Sequence, residues 1–446
     1  MVHKIATVIG KLSPGLRQVI DNISWLLVER LFQMGLALVV GIWVARYLQP
    51  KDYGLLTYAM TFVSLFSAIA QLGLGTIVIR DIARDPSSKD ETLGTAFVLQ
   101  FIGGIVTLVV TVGTISLLKP DEILTRWLVC IVATGTIVNA FNTIDYWFQS
   151  QLKVKYLVVA NNLVSAVYAV LRIVLIRLQM TVIAFAWAGL AETALRGLAR
   201  SIAYSINGNH LSRWRFSWHR AKTLLQECWI LVLSGLAVYV YSKIDQVMLG
   251  SLLSDTTQLG YYSVAVKLSE IFDFLPMIIY QSVFPKLSSL KEKNPEDYLN
   301  KFQVYFDTMT LLWIGIAVPI SFLSPYIVNI LYGKSYAATA PILSLYVWAQ
   351  FGTNFGVARS AYLAVEKKLH YSLYSSVFGA LTNIAINAIL IPRFGAIGAT
   401  IATIMTYFMV IIALNFYLRE LRPVGKMILR SLNLYKAMTR LLGLVR

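Results

Sequence analysis

The sequence predicts an all-α integral membrane protein, with twelve transmembrane helices in two six-helix bundles around a central cavity and both termini cytoplasmic. Three observations lead there: the composition, the distribution of basic residues between loops, and an echo between the halves of the chain. Of 446 residues, 57% are apolar and 14% charged, against roughly 45–50% and 25% in soluble domains. About 20 apolar residues cross ~30 Å of hydrocarbon as a helix. Twelve windows reach that length: 25–46, 55–79, 93–118, 126–150, 156–177, 181–204, 225–253, 259–284, 302–325, 338–364, 371–391 and 397–418.

Lysine and arginine collect in cytoplasmic loops. Alternate loops of this assignment hold 27 and 7 of them, and the basic set includes both ends of the chain. The net charge of +17 therefore reports topology, and no soluble basic face is left for nucleic acid. The first window reads as an uncleaved span, because Arg46 and Tyr47 stand where a leader would carry small residues. Cys130 and Cys228 occupy separate windows without a CxxC or a nearby histidine, so they read as buried thiols rather than a disulfide or metal site.

The expected domains are an N-terminal six-helix bundle (1–204), a basic cytoplasmic linker (205–224), a C-terminal six-helix bundle (225–418) and an amphipathic basic tail helix (419–446). YLQPKDYGLLTYA (47–59) echoes SLLSDTTQLGYYSVA (251–265), with Gly54 opposite Gly260, and 148–176 echoes 362–391 at a similar offset. Two echoes in corresponding places suggest six-span repeats of one orientation, a parallel pseudo-repeat. In the tail, Lys426, Arg430, Lys436 and Arg440 fall on one side of a helix and Met427, Leu434, Met438, Leu441 and Leu442 on the other. That pattern suits a helix lying on the leaflet surface. No loop is long enough to hold a soluble catalytic domain.

Inside the windows stand Glu29, Arg30, Asp145, Arg172, Glu192, Lys243, Asp245, Lys267, Glu270, Asp273, Asp307 and Arg359. A charge at the bilayer centre costs at least ~2.5 kcal/mol, so such residues face a bundle interior or a wet cavity. Glu192 can pair with Arg196 one turn on, and Asp145 and Asp307 lie near span ends where water is reachable. Arg30 and Arg359 sit about two turns from their ends, where snorkelling explains them as well as a cavity does. Lys243 and Asp245 are too deep to snorkel, and being two residues apart they point away from each other. The next span offers Lys267, Glu270 and Asp273 as a one-sided stripe before a kink expected at Pro276. Cations holding an anionic group and carboxylates binding a coupling ion or pairing helices are therefore expected as separate roles. Thr382, Asn383 and Asn387 read first as interhelical hydrogen-bonding residues.

ARYLQPKDYGLLTYA, QLGLGTIVIRDIAR, FQSQLKVKY, KIDQVMLG, LGYYSVAVKLSE, FPKLSSL and NIAINAILIPRFGAIGATIAT, in that order, resemble the Wzx-type polysaccharide flippases of the multidrug, oligosaccharidyl-lipid and polysaccharide exporter superfamily. The resemblance implies alternating access and passage of an undecaprenyl-pyrophosphate-linked oligosaccharide, of O-antigen or exopolysaccharide, across a bacterial cytoplasmic membrane. It implies pyrophosphate-binding cations among Lys243, Arg30, Arg359, Arg172 and Lys267. Asp245, Glu270, Asp273 and Glu29 are the carboxylates for a coupling ion, proton or sodium, or for helix pairing. It implies no cofactor or metal, and as partners membrane lipids, a polysaccharide polymerase and a chain-length regulator. Alternatives are a drug exporter or peptidoglycan-precursor flippase of the same superfamily, a membrane glycosyltransferase, and a non-transport scaffold of polysaccharide assembly. The glycosyltransferase needs a carboxylate base or metal pair on a sizeable water-facing loop. The nearest acidic pair, Asp81 and Asp85, sits instead in a short basic loop.

Overall fold

A computed structural model describes residues 14–442; Lys4 and Lys11 of the loop count and the last four tail residues lie outside the described residues. Every regular element among the described residues is helical: α1 (Pro14–Gln71), α2 (Leu74–Arg84), α3 (Lys89–Leu118), α4 (Ile123–Val138), α5 (Thr143–Ser150), α6 (Val154–Arg177), α7 (Val182–Ile206), α8 (Trp218–Leu252) and α9 (Thr257–Glu270) in the first part of the chain. Then come α10 (Phe274–Lys293), α11 (Pro295–Tyr332), α12 (Thr339–Tyr346), α13 (Gln350–Val365), α14 (His370–Phe408), α15 (Leu414–Tyr417), α16 (Arg422–Ser431) and α17 (Leu434–Leu442).

Seven helical stretches among the described residues are long and apolar enough to cross a membrane. Two of them, Ser24–Arg84 and His370–Tyr417, each cover two of the windows read from sequence, the last to within one residue. Both are bent by the backbone: Gln49 takes a positive φ of 59° before Pro50, and Gly395 one of 56° after Pro392. Proline disfavours the α conformation in the residue before it and supplies no N–H of its own, so α1 and α14 each change direction there. The stretches α8, α9 with α10, and α12 with α13 are not among the seven. They carry Lys243, Asp245, Lys267, Glu270, Asp273, Gln350 and Arg359.

The chain forms two compact units. Of the described residues, one comprises 14–47 and 62–236, the other 48–61 and 237–442. Contacts thus divide inside α8, between Leu236 and Ala237, and the middle of α1 belongs with the second unit. In the first unit α2, α3, α5 and α7 meet around Ile77, Leu93, Ile144, Phe148 and Tyr204. Tyr204 is edge-on to Trp147 at 5.2 Å and to Trp214 at 5.8 Å. The segment after α7 is fixed here as well, with Arg215 N–H donating to the Asp90 carbonyl at 3.1 Å. Cys228 is buried in this core and Cys130 is half-buried, both as free thiols.

The second unit is built on aromatic packing of α11 against α13. Phe302, Phe306, Trp313, Phe351 and Phe355 are buried together, with Val424, Met427 and Ile428 of α16 added from the tail. The expected single tail helix is two helices, broken at Leu432–Asn433, and Asn433 Oδ1 accepts the Lys436 N–H at 3.1 Å to start the second. Met427 is buried in the core, whereas Leu434, Met438 and Leu442 are exposed. Asp307, placed near water by sequence, is fully buried, and Arg440 of α17 holds both its oxygens at 2.6 and 2.8 Å.

Gly54 and Gly260, opposite each other in the sequence echo, meet in the second unit. A Cβ on Gly54 would overlap the Thr256 carbonyl oxygen and lie 2.8 Å from the Gly260 nitrogen, and one on Gly260 would overlap the Pro50 carbonyl. The obstacles are backbone and cannot rotate away. Overpacking of this kind costs ~1–3 kcal/mol or more, so Gly54→Ala or Gly260→Ala lowers the melting temperature of the purified protein by several degrees. Gly35→Ala, with nothing within 4 Å of the added atom, leaves it unchanged. Equal melting of the three variants would show that the close approach is not needed.

Candidate functional site

In the second unit a cavity of about 490 Å³ opens between α8, α10, α13 and α14, lined among others by Tyr241, Tyr280, Thr353, Arg359, Ser376 and Tyr407. The room comes from small residues four apart on α13, Gly352, Gly356 and Ser360, which share one helix face. Gly352 lies against the Tyr407 ring, and Gly356 faces open space. The lining is hydroxyl-rich and aromatic with one cation, Arg359, and no carboxylate.

Arg359 is 5% exposed. Its Nε donates to Asn415 Oδ1 at 2.9 Å and its Nη2 to Ser375 Oγ at 2.7 Å. Both acceptors are themselves fixed: Asn415 Nδ2 donates to the Ile411 carbonyl at 2.7 Å and Ser375 Oγ to the Tyr371 carbonyl at 2.6 Å. The holders are neutral, and no carboxylate among the described residues pairs with this guanidinium. Guanidinium offers five N–H donors in a planar fork matched to phosphate and carboxylate. Two are used here, which leaves a buried positive charge with donors to give to an incoming anion.

Lys243, two residues beyond Tyr241 on α8, does not share that freedom. Its Nζ lies 2.9 Å from Glu270 Oε1. Asp273 accepts Gln350 Nε2 at 2.8 Å, and Gln350 also donates to the Ser269 carbonyl at 2.8 Å. The 3₁₀ turn Ile271–Asp273 separates α9 from α10. Pro276 lacks an N–H for Phe272 and its ring crowds that carbonyl, in keeping with the 3₁₀ turn that precedes it. Lys267 is half-buried and makes no ion pair among the described residues. If Lys243 serves to neutralise Glu270, Lys243→Gln combined with Glu270→Gln melts close to wild type while Lys243→Gln alone melts lower, the signature of two coupled neighbours. A double variant melting as low as the single one would give Lys243 a role of its own.

Asp245 points elsewhere, as the two-residue spacing requires. It is 5% exposed, takes the Tyr262 hydroxyl, the Gln246 N–H at 2.7 Å and the Thr403 hydroxyl at 3.3 Å, and has no cation in ion-pair range among the described residues. One turn along α14 from Thr403, the Thr406 hydroxyl accepts Asn383 Nδ2 at 3.3 Å, and Asn383 Oδ1 accepts Asn387 Nδ2 at 2.8 Å. Asn387 Oδ1 is buried without a donor. This is an oxygen-rich, buried cluster around one carboxylate. Sequence reasoning missed Tyr262, Thr403 and Thr406, whose hydroxyls carry no periodic signal.

The remaining sequence candidates lie in the first unit. Glu29 accepts Asn161 Nδ2 at 2.9 Å and Gln33 Nε2 at 3.1 Å, and Arg30 is exposed. Arg172 stacks over the Tyr168 ring at 4.0 Å and donates to its hydroxyl. Glu192 pairs with Arg196 at 2.7 Å, and Asp145 with Arg200 at 2.9 Å. Every one of these interior charges except the exposed Arg30 is thus partnered within its own unit.

Residues 43–341 match the family model described as polysaccharide biosynthesis protein. A probable flippase of Haloferax volcanii, AglR, is 25% identical over 397 residues, 82% of this chain and 76% of that protein. Among solved structures, the lipid II flippase MurJ in an inward closed conformation aligns with a TM-score of 0.73 at 15% identity, covering 96% of both chains. An inward-facing multidrug resistance MATE family transporter of the MOP superfamily aligns with a TM-score of 0.71 at 18% identity, over 89% of this chain and 95% of that one. The fold is that of these multi-pass membrane transporters.

Proposed function

The chain belongs to the polysaccharide biosynthesis protein family, and from that membership we propose that it is a flippase, a transporter rather than an enzyme, moving a lipid-linked oligosaccharide between membrane leaflets. The finer reading is twelve spans in two six-helix bundles with cytoplasmic termini, divided at the basic 205–224 segment. Its cargo is a polyprenyl-pyrophosphate oligosaccharide, undecaprenyl in the bacterial case, carried by ion-coupled alternating access. A polymerase and a chain-length regulator then act on the delivered product.

Arg359 is the observation that carries the substrate assignment. A buried guanidinium held by two neutral acceptors in a hydroxyl-lined cavity suits the phosphate end of such a lipid, and the serines and tyrosines around it suit sugar hydroxyls. The dominant roles then separate. Arg359 meets the anion, Asp245 and its oxygen-rich neighbours meet the coupling ion, and the Lys243–Glu270 pair keeps α8 and α9 together.

Binding distinguishes this from drug export. With purified protein in detergent, a short-chain polyprenyl-pyrophosphate oligosaccharide raises the melting temperature saturably, and the same carrier without phosphate does not. Stabilisation by cationic amphiphiles alone would assign the protein to drug export instead.

A further inference from the structure

Beyond the transport site, a second cavity of about 690 Å³ lies between the start of α11 and the tail helices, and six of its lining residues are Arg419, Arg422, Lys426, Arg430, Lys436 and Arg440. No carboxylate lines it. Two short helices create this concentration. α16 buries Val424, Met427, Ile428 and Ser431 in the second unit, so Arg422, Lys426 and Arg430, spaced by four, form the opposite stripe. α17 buries Ala437 and adds Lys436 and Arg440.

Only one of the six is neutralised by a buried acid. Arg440 holds Asp307, which anchors α17 to α11 at the floor of the cavity. Glu420, the nearest carboxylate in sequence, is turned to Lys368 at 3.1 Å, whose hydrogen bond holds it below the usual carboxylate range. The other five cations are left without an acidic partner among the described residues. Loop charge that only sets topology needs no shape, whereas these side chains converge on one concavity. On α17 the exposed Leu434, Met438 and Leu442 form the face opposite Lys436 and Arg440, an apolar face that a soluble anion does not require and a helix lying on a membrane turns to the acyl chains.

We propose that this tail cavity is a binding site for the phosphate headgroup of an anionic membrane lipid, separate from the Arg359 cavity. Several cations around one phosphate make charge-assisted, multidentate contacts, while the apolar face of α17 rests among the acyl chains. Bound lipid ties α16 and α17 to the membrane surface, and through Arg440 and Asp307 to α11.

The test uses the full chain in neutral detergent, titrated with phosphatidylglycerol, phosphatidylcholine or inorganic pyrophosphate while melting is followed. Phosphatidylglycerol stabilises the wild type saturably and phosphatidylcholine does not. The variant Arg422→Gln/Lys426→Gln/Lys436→Gln binds phosphatidylglycerol roughly 10²-fold more weakly, whereas Arg213→Gln/Arg215→Gln/Lys222→Gln, an equal charge change in another segment, binds as wild type. Stabilisation by pyrophosphate but not by phosphatidylglycerol, lost in the tail variant, would overturn the lipid assignment in favour of a soluble phosphate. Equal weakening in both triple variants would reduce the effect to net charge and overturn the site. If the tail variant already melts lower without lipid, the wild type is crosslinked to a headgroup-proximal photoactivatable phosphatidylglycerol. Adducts within 419–440 support the site, and adducts confined elsewhere overturn it.

Discussion

Arg359→Gln lowers translocation of a pyrophosphate-linked oligosaccharide by roughly 10²-fold or more, since two charge-assisted hydrogen bonds of ~1.5–3 kcal/mol each are lost at ~1.4 kcal/mol per tenfold. Melting temperature changes little or rises. The guanidinium is buried against Asn415 and Ser375 without a countercharge, so its removal relieves a desolvation cost while glutamine keeps one donor for them. Arg359→Lys keeps the charge, gives up the planar fork, and falls between the two. Rate and stability are measured on the same preparations, because a purely structural arginine would lower both together. Unchanged rates in Arg359→Gln would remove the cavity from the transport path.

Asp245→Asn abolishes the response of transport to an imposed ion gradient. Asp245 has three hydrogen-bond donors and no cation in ion-pair range among the described residues, so its charge is left for a bound ion or proton. Asparagine preserves the volume and removes that charge, and slow gradient-independent equilibration persists. Separate sodium and proton gradients identify the ion by which one drives the wild type and not the variant. If Asp245 only locks α8 to α9 and α14, the variant melts lower and stays gradient-driven.

How much of this was legible beforehand depends on how local each interaction is. The i,i+4 pair Glu192–Arg196 follows from spacing alone and is present, and before Pro276 the helix tightens to a 3₁₀ turn at Ile271–Asp273. The Lys243–Glu270 pair spans 27 residues but joins adjacent helices, which the stripe on α9 made visible. The Asp307–Arg440 pair spans 133 residues and Thr403–Asp245 spans 158. Helical periodicity carries no information at that range, so the sequence places Asp307 near water. Arg359 stands in the sequence among residues that snorkelling explains equally well. Only the positions of Asn415 and Ser375, set by the π-helical turn 409–413 and by α14, show the guanidinium held inside the unit rather than reaching for the surface. The tail pattern alone reads as one helix, whereas α16 packs into the aromatic core and a second helix starts at Leu434 with Asn433 as its cap.

The decisive measurement is the initial rate at which a fluorescent polyprenyl-pyrophosphate oligosaccharide becomes accessible to an impermeant quencher across proteoliposome membranes, with and without an ion gradient. Protein-dependent translocation that accelerates with the gradient and nearly disappears in Arg359→Gln is the expected outcome. A rate equal to that of protein-free vesicles, from protein that binds the same lipid and melts normally, would mean that the chain holds lipid-linked glycans without moving them.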